Sequence, residues 1–224
     1  MEKVVQLTLT GVTNGAILAM VALGFVLIYK SSDIINFAQG ELLMIGAYLA
    51  YVLIEGIGLW WPLAILLAVV LAAAAGVLME HLVLRPMIGE PIISVIMVTI
   101  GLAILLRAIM GGIWGTAPLP TPSVIPSGPV NLFGATVGAN KLWAIALSVV
   151  LLVALTLFFR RSNEGIAMRA VADDQQAALS MGISVTHVWA ISWAIAAITA
   201  AVGGMLLASI FGGVGADIGR IGLI

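Results

Sequence analysis

The polar segment NEGIAMRAVADDQQAALSMGIS, from Asn163 to Ser184, decides how this chain is organised. It separates two apolar stretches, residues 141–159 and 187–210, each close to the roughly 20 residues that an α-helix needs to cross the hydrocarbon core of a bilayer. A polar segment with helix-forming residues between two such stretches has to lie outside the membrane. The sequence therefore predicts a membrane protein with a helical segment at one of its faces.

The composition extends this prediction to the whole chain. Hydrophobic residues make up 62% of it and charged residues 8%, whereas soluble domains have about 45–50% and about 25%. The first apolar stretch is longer than the core of a cleavable signal peptide, so we interpret it as a retained anchor. We predict an all-α, polytopic membrane protein of about six transmembrane helices, with residues 1–224 forming a single transmembrane domain. The predicted spans are residues 4–29, 41–59, 62–80, 92–113, 141–159 and 187–210.

The basic residues orient these spans, because cytoplasmic loops are enriched in Lys and Arg. With the amino terminus outside, five basic residues are cytoplasmic and three are external. This orientation predicts an external loop at residues 114–140, in which Val130 to Gly134 favours a short hairpin, and a cytoplasmic coupling loop at residues 160–186. The cytoplasmic set is Lys30, Arg85, Arg160, Arg161 and Arg169, and the external set is Lys3, Lys141 and Arg220.

The polar segment itself is amphipathic at the helical period. Asp173 and Gln176 have the spacing of a capping box, in which side chains satisfy the free amides of a new helix. Gly182 is placed to adopt the left-handed conformation that ends a helix. We therefore predict a short helix from about Asp174 to Met181, with an apolar face turned towards a partner. Along the whole polar segment, the apolar face holds Ala167, Val171, Ala178 and Met181.

Small residues recur every four positions in the third and sixth spans. This spacing lets neighbouring helix backbones approach closely and is typical of packed membrane helices. It predicts close helix contacts and carries no functional information. The residues are Ala68, Ala72 and Gly76 in the third span, and Ala196, Ala200, Gly204 and Ala208 in the sixth.

A few polar residues of the spans are candidates for a substrate path. Asn36, Gln39 and Glu41 form the densest set, although Asn36 or Asp33 is equally suited to cap the second helix, with Glu41 complementing its dipole. Asn14 is suited to line a path or to hydrogen-bond a neighbouring helix.

Glu55 and Arg107 are the other ionisable candidates. Both are close to the outer ends of their predicted spans, so we expect them to extend to interfacial water.

Several classes of protein are disfavoured by what the sequence lacks. There is no Cys, and His81 and His187 are isolated, so neither a metal site nor a cofactor is predicted. The residues for a membrane-embedded enzyme, or the mid-span acids of an ion-coupled transporter, are missing. The net charge of −1 gives no reason to expect nucleic acid. A structural or regulatory membrane subunit fits the composition, and only the polar segment argues against it.

Three stretches resemble the permeases of ATP-binding-cassette importers, and in particular the branched-chain amino acid permeases. Gln176-Ala177-Ala178, followed after three residues by Gly182, is similar to the Glu-Ala-Ala-x-x-x-Gly loop that contacts the ATPase subunits, with Gln176 in place of Glu. Residues 34–41, IINFAQGE, resemble the signature after the first helix of the family, with Gln39 where relatives often carry His. Arg85-Pro86 and the later Thr99-Ile100-Gly101-Leu102 resemble its next landmarks.

The resemblance covers essentially the whole chain and is greatest to the first of the two paired permeases. It implies a permease, not an enzyme, in a bacterial inner membrane, whose partners are a second permease, two ATP-binding subunits and a soluble binding protein. No G-x-x-x-x-G-K-[ST] phosphate loop occurs here, so energy is expected from another subunit. The residues expected to couple to the ATPase are Asp173, Gln176, Ala177, Ala178, Met181 and Gly182.

The substrate and the completeness of the chain stay open at this stage. The resemblance implies leucine, isoleucine and valine, and similar permeases handle urea and short amides. Family members continue beyond the equivalent of Ile224 with a further helix, so we expect that the chain is truncated. A non-functional truncated permease is therefore a further alternative.

Overall fold

The computed structural model describes residues 2–115, 117–120, 128–132, 135–215 and 218–219, which are mostly helical. The α2 helix continues as the π-helical turn Val52–Gly56, and α3 continues through the π-helical turn Glu80–Leu84 and the 3-10 turn Arg85–Met87. The α-helices are α1 (Glu2–Ser32), α2 (Gln39–Tyr51), α3 (Trp61–Met79), α4 (Ile92–Trp114), α5 (Ala139–Arg161), α6 (Asn163–Asp173), α7 (Gln175–Ser180) and α8 (Val185–Phe211).

Within the described residues, five helices are long and apolar enough to cross a membrane. They are the helices of five of the six predicted spans: Lys3–Ser32, Trp61–Met87, Ile92–Trp114, Ala139–Arg161 and Val185–Phe211. The remaining predicted span, the second at residues 41–59, forms the shorter helix α2 and its π-helical turn. Most of α2 is buried by its neighbours, so it is a core element of the bundle. Hydropathy alone does not separate such a helix from one that faces lipid.

The centre of the bundle is α8, which packs against α1, α2 and α3. Of the 18 residues in the apolar stretch of α8, 67% are buried. In the corresponding stretches of the other spanning helices, 17–39% of the residues are buried. Small residues allow these contacts, as the sequence predicted for α3 and α8. In α2, where no such pattern was predicted, a Cβ on Gly46 would lie 2.2 Å from the Cα of Ala201. A Cβ on Gly76 of α3 would lie 2.6 Å from the carbonyl oxygen of Trp193. Helix backbones therefore meet directly at both crossings.

Short strands lie at the end of the bundle where α4 ends and α5 begins. Strands β2 (Pro129–Leu132) and β3 (Ala135–Gly138) pair antiparallel, with Val130 opposite Val137. This pairing confirms the predicted hairpin. Residues 133–134, which belong to the predicted stretch, lie outside the described residues. Strand β1 (Leu119–Pro120) pairs with β4 (Gly213–Val214), which connects the loop after α4 to the end of α8.

Candidate functional sites

The polar segment begins by folding back tightly onto the end of α5. The Ser162 hydroxyl accepts a hydrogen bond from the Gly165 amide at 2.9 Å and so caps α6. Gly165 lies so close to the chain before it that a Cβ there would be 2.6 Å from the Phe159 carbonyl oxygen. Arg169 donates a hydrogen bond to that same carbonyl. The start of α6 is therefore fixed to the end of α5.

The predicted capping box at Asp173 is wrong by one residue. Asp174 caps α7, since its Oδ1 accepts hydrogen bonds from the amides of Gln176 at 2.8 Å and Ala177 at 3.0 Å. Asp173 still belongs to α6, and the chain becomes extended only at Asp174, with φ −157° and ψ 109°. The polar segment is thus two helices with a sharp break. The predicted short helix is confirmed as Gln175–Ser180.

The end of α7 is formed as the sequence predicted. Gly182 has a φ of +83°, and its amide donates to the Leu179 carbonyl at 3.0 Å. The next amide, of Ile183, donates to the Ala178 carbonyl at 3.0 Å. This pair of bonds is a Schellman motif, which requires a left-handed residue at the position of Gly182. A glycine there avoids the steric penalty of a side chain.

Five of the six predicted coupling residues lie on the surface of the chain: Asp173, Gln176, Ala177, Met181 and Gly182. The side chain of Met181 is widely open to solvent, with 82% of the residue exposed. The sixth residue, Ala178, differs from the prediction that its apolar face turns towards a partner. It is only 4% exposed and belongs to a buried cluster with Val171 of α6 and Val185 of α8.

The apolar face of α7 therefore packs within its own chain. What α7 presents outward is polar, together with Leu179 and Met181, which are exposed hydrophobic side chains. The sequence reasoning missed Leu179, which is 57% exposed, because its outward direction follows from the inward packing of Ala178 and not from a local sequence signal.

A second polar site lies at the start of α2, deep in the bundle. Asn36, Gln39 and Glu41 are all buried. The Gln39 side chain donates to the Ala196 carbonyl of α8 at 3.2 Å, and a Cβ on Gly24 of α1 would lie 2.1 Å from the Gln39 Nε2. Gly24 is eight residues from the end of α1, or about 12 Å at 1.5 Å per residue. Residues 33–38 therefore return into the bundle, and α2 begins within it.

The capping alternative for this site is wrong in detail. The residue that caps α2 is Ala38, which makes no side-chain capping bond. Asn36 instead closes a turn before the helix, its Oδ1 accepting the Ala38 amide at 2.9 Å, while its Nδ2 lies 3.5 Å from the Gln39 Oε1. Asp33 lies earlier, with a φ of +56°. Glu41 is in the first turn, as predicted.

Arg107 also differs from its prediction. Its guanidinium donates a hydrogen bond to the Glu41 carboxylate and forms an ion pair with it. The Arg107 side chain keeps 33% exposure, whereas Glu41 has none. The ion pair with Glu41 holds the Arg107 guanidinium against the bundle, so this side chain does not simply extend to interfacial water. By contrast, Glu55 is exposed, in agreement with its prediction.

Asn14 is not part of this site. It lies on an exposed face of α1, between Gly11 and Gly15, where a Cβ on either glycine would meet nothing within 4 Å. A residue that the sequence reasoning missed is Thr99 of α4, which is buried and whose hydroxyl lies 3.4 Å from the Phe37 amide. The sequence contained one signal for Thr99, because Thr99-Ile100-Gly101-Leu102 resembles a landmark of the family.

The five long apolar helices define a polytopic α-helical membrane protein. The chain belongs to the family described as the permease component of branched-chain amino acid transport systems, whose profile matches residues 7–224.

Three relatives illustrate the similarity. The high-affinity branched-chain amino acid transport system permease protein LivH of Escherichia coli (strain K12) is 31% identical, over 96% of this chain and 73% of that protein. The corresponding BraD of Pseudomonas aeruginosa is 27% identical, over 96% and 74%. The probable LivH of Methanocaldococcus jannaschii is 30% identical, over 85% of this chain and 62% of that protein. No solved structure matches the chain significantly.

Proposed function

We propose that this chain is the membrane-spanning subunit of an ATP-driven importer that takes up branched-chain amino acids from a soluble binding protein. The family and the names of the relatives support the substrate class. Urea and short amides are the alternative substrates that the sequence left open. The proposed location is the cytoplasmic (inner) membrane, with a second permease alongside this one.

The observation that carries the proposal is the arrangement of α7. The helix is fixed at both ends, by the Asp174 cap and by Gly182, and its inner side is anchored through Ala178. Its outer side, including Gln176 and Met181, is free of contacts within the described chain that would bury it. A rigid, short helix with one anchored and one open side is suited to receive force from a separate ATPase subunit.

The packing supplies a route by which such a force would reach the bundle. Ala178 and Val171 share a buried cluster with Val188 and Trp189 of α8. The α8 helix in turn packs on α1, α2 and α3. Displacement of α7 by an ATPase would therefore act on the central helix, because packed interiors transmit displacement instead of absorbing it.

The proposed substrate path includes Asn36, Gln39 and Glu41 at the start of α2. Polar groups inside a membrane protein usually have a function, because isolated polar groups are costly there. Here they gather at the amino end of a helix that begins inside the bundle, an arrangement that transporters use for ligand sites. Asn14 is not included in this path. We assign its side chain to a hydrogen bond with a helix that packs on the exposed face of α1.

The test is uptake by a reconstituted complex. The chain is combined with its second permease and two ATPase subunits in proteoliposomes, with ATP inside and the binding protein and labelled leucine outside. The proposal expects leucine accumulation that needs both ATP and the binding protein. Leucine uptake without ATP would contradict the energy source, and ATP-dependent uptake of labelled urea but not of leucine would replace the substrate class.

A further inference from the structure

A cavity of about 310 Å³ opens between α1, α5 and α6, on the same face of the bundle as the polar segment. It belongs neither to the start of α2 nor to the exposed side of α7. Its rim carries three cations: Lys30 in the last turn of α1, Arg160 in the last turn of α5 and Arg169 of α6. Its inner wall is apolar, with Leu23, Val26 and Leu155 from the two spanning helices.

The three cations are not neutralised by carboxylates within the described part of the chain. The ion pairs found there involve Glu80, Glu41 and Glu164, none of them with Lys30, Arg160 or Arg169. Arg169 is held in place by its hydrogen bond to the Phe159 carbonyl. Three cations around one opening, one of them held by a hydrogen bond, create a local positive potential that attracts an anion.

The acidic residues near these cations lie in a different cavity. Asp33, Asp173 and Asp174 line an adjoining cavity, whose wall also includes Lys30 and Arg169. None of these carboxylates lines the cavity between α1 and α5. Lys30 and Arg169 therefore stand between an acidic side and an apolar side, while Arg160 lines only the apolar cavity.

The depth of the apolar wall distinguishes the kind of anion. Leu23 lies nine residues before the end of α1 at Ser32, or about 13 Å along the helix at 1.5 Å per residue. The cavity thus extends from charged residues at the end of the helices into the apolar part of the bundle. A free phosphate would contact only the rim, whereas a phospholipid would fill both parts, with its acyl chain along the wall.

We propose that this cavity binds an anionic phospholipid, with the headgroup phosphate held by Lys30, Arg160 and Arg169 and an acyl chain packed against Leu23, Val26 and Leu155. Basic pockets between membrane helices on the cytoplasmic side are suited to such headgroups. The inference rests on the proposed orientation of the polar segment and does not depend on the transported substrate. Because Arg169 belongs to α6, the lipid would also hold the helix that leads into α7.

The test uses the full chain purified in detergent and titrated with phosphatidylglycerol or phosphatidylcholine, with lipid binding followed by native mass spectrometry. We expect phosphatidylglycerol to bind at least tenfold more tightly. The double variant Lys30→Gln/Arg160→Gln should lower its affinity at least tenfold. The matched control is Arg161→Gln, an exposed neighbouring cation that does not line the cavity, and it should stay within twofold.

A second variant blocks the cavity by size and leaves its charges in place. It therefore tests the site even if the double variant fails to fold. Thr156 lines the cavity and is exposed, so Thr156→Trp should fill the space and lower phosphatidylglycerol affinity at least tenfold with all cations present. Equal binding of the two lipids, or an equal loss in Arg161→Gln, would overturn the site. Displacement of the lipid by inorganic phosphate at matched concentration would replace it with a free-anion site. If the double variant or Thr156→Trp changed leucine uptake but bound phosphatidylglycerol as tightly as the parent, the lipid site would be contradicted. The proposed transport function would stand.

Discussion

The guanidinium of Arg107 on α4 is hydrogen-bonded to the carboxylate of Glu41 on α2, which is completely buried. A carboxylate inside a membrane protein is costly unless a positive charge or hydrogen bonds compensate for it. The pair fixes the start of α2 against α4. It also makes Glu41, which lies beside the polar residues Asn36 and Gln39, the charged centre of the proposed path.

Glu41→Gln should destabilise the protein, because Arg107 would then lose its charged partner. Removing one member of a fully buried ion pair costs about 3–5 kcal/mol, and we expect a smaller loss here since the Arg107 side chain is 33% exposed. Thermal unfolding of the detergent-purified protein measures it. The double variant Glu41→Gln/Arg107→Gln should be more stable than Glu41→Gln alone. A double variant in which the two losses simply add would show that the pair is not coupled.

The sequence predicted local features well and long-range partners poorly. The end of α7 at Gly182 and the strand hairpin depend on neighbouring residues, so their signals are local. Glu41 and Arg107 are separated by 66 positions, and Gln39 and Ala196 by 157. Hydropathy contains no information about which helices meet, and for the same reason the sequence did not show that Ala178 faces inward.

Gly24→Ala should disturb the start of α2. The new methyl group would lie 2.1 Å from the Gln39 Nε2, and overpacking of this kind costs about 1–3 kcal/mol. We expect lower thermal stability and reduced leucine uptake in the reconstituted complex. Combining it with Gln39→Ala should recover part of the lost stability, since the closer clashing side chain is removed while the Thr199 hydroxyl stays 2.9 Å from the added methyl group.

Gly15→Ala is the matched control, because it lies on the same helix with nothing within 4 Å of the added Cβ. Its stability should be unchanged or slightly higher, as alanine is the better helix former. If both variants lose the same stability, the contact between Gly24 and Gln39 is not the cause.

The orientation of the chain can be tested by cysteine labelling, since the chain contains no cysteine of its own. Asn131 on β2 and Gln175 at the start of α7 are both exposed and lie at opposite ends of α5. In intact cells, Asn131→Cys should react with an impermeant thiol reagent, and Gln175→Cys should react only after the cells are opened. The reverse pattern would place α7 outside the cell and end the proposal that an ATPase docks there.

Gly182→Val should uncouple the transporter without preventing its insertion. A side chain at a φ of +83° costs roughly 1–2 kcal/mol, and relief of that strain would shift the end of α7. We expect normal membrane levels but a severalfold loss of substrate-stimulated ATP hydrolysis. Gly58→Val is the control: its φ of +76° gives a similar strain in the turn after α2, with nothing within 4 Å of the added Cβ. Equal losses of hydrolysis in the two variants would indicate general damage.

The central claim, that the open side of α7 contacts an ATPase subunit, is tested most directly by photo-crosslinking. A benzophenone amino acid is placed at Met181, which directly follows α7 and is 82% exposed, or at Asn131 on β2 as the control, and the complex is irradiated in membranes. We predict an adduct with the ATPase subunit from position 181 and none from position 131. Complexes that co-purify with the ATPase but give no adduct from position 181, or give one from position 131, would contradict the claim.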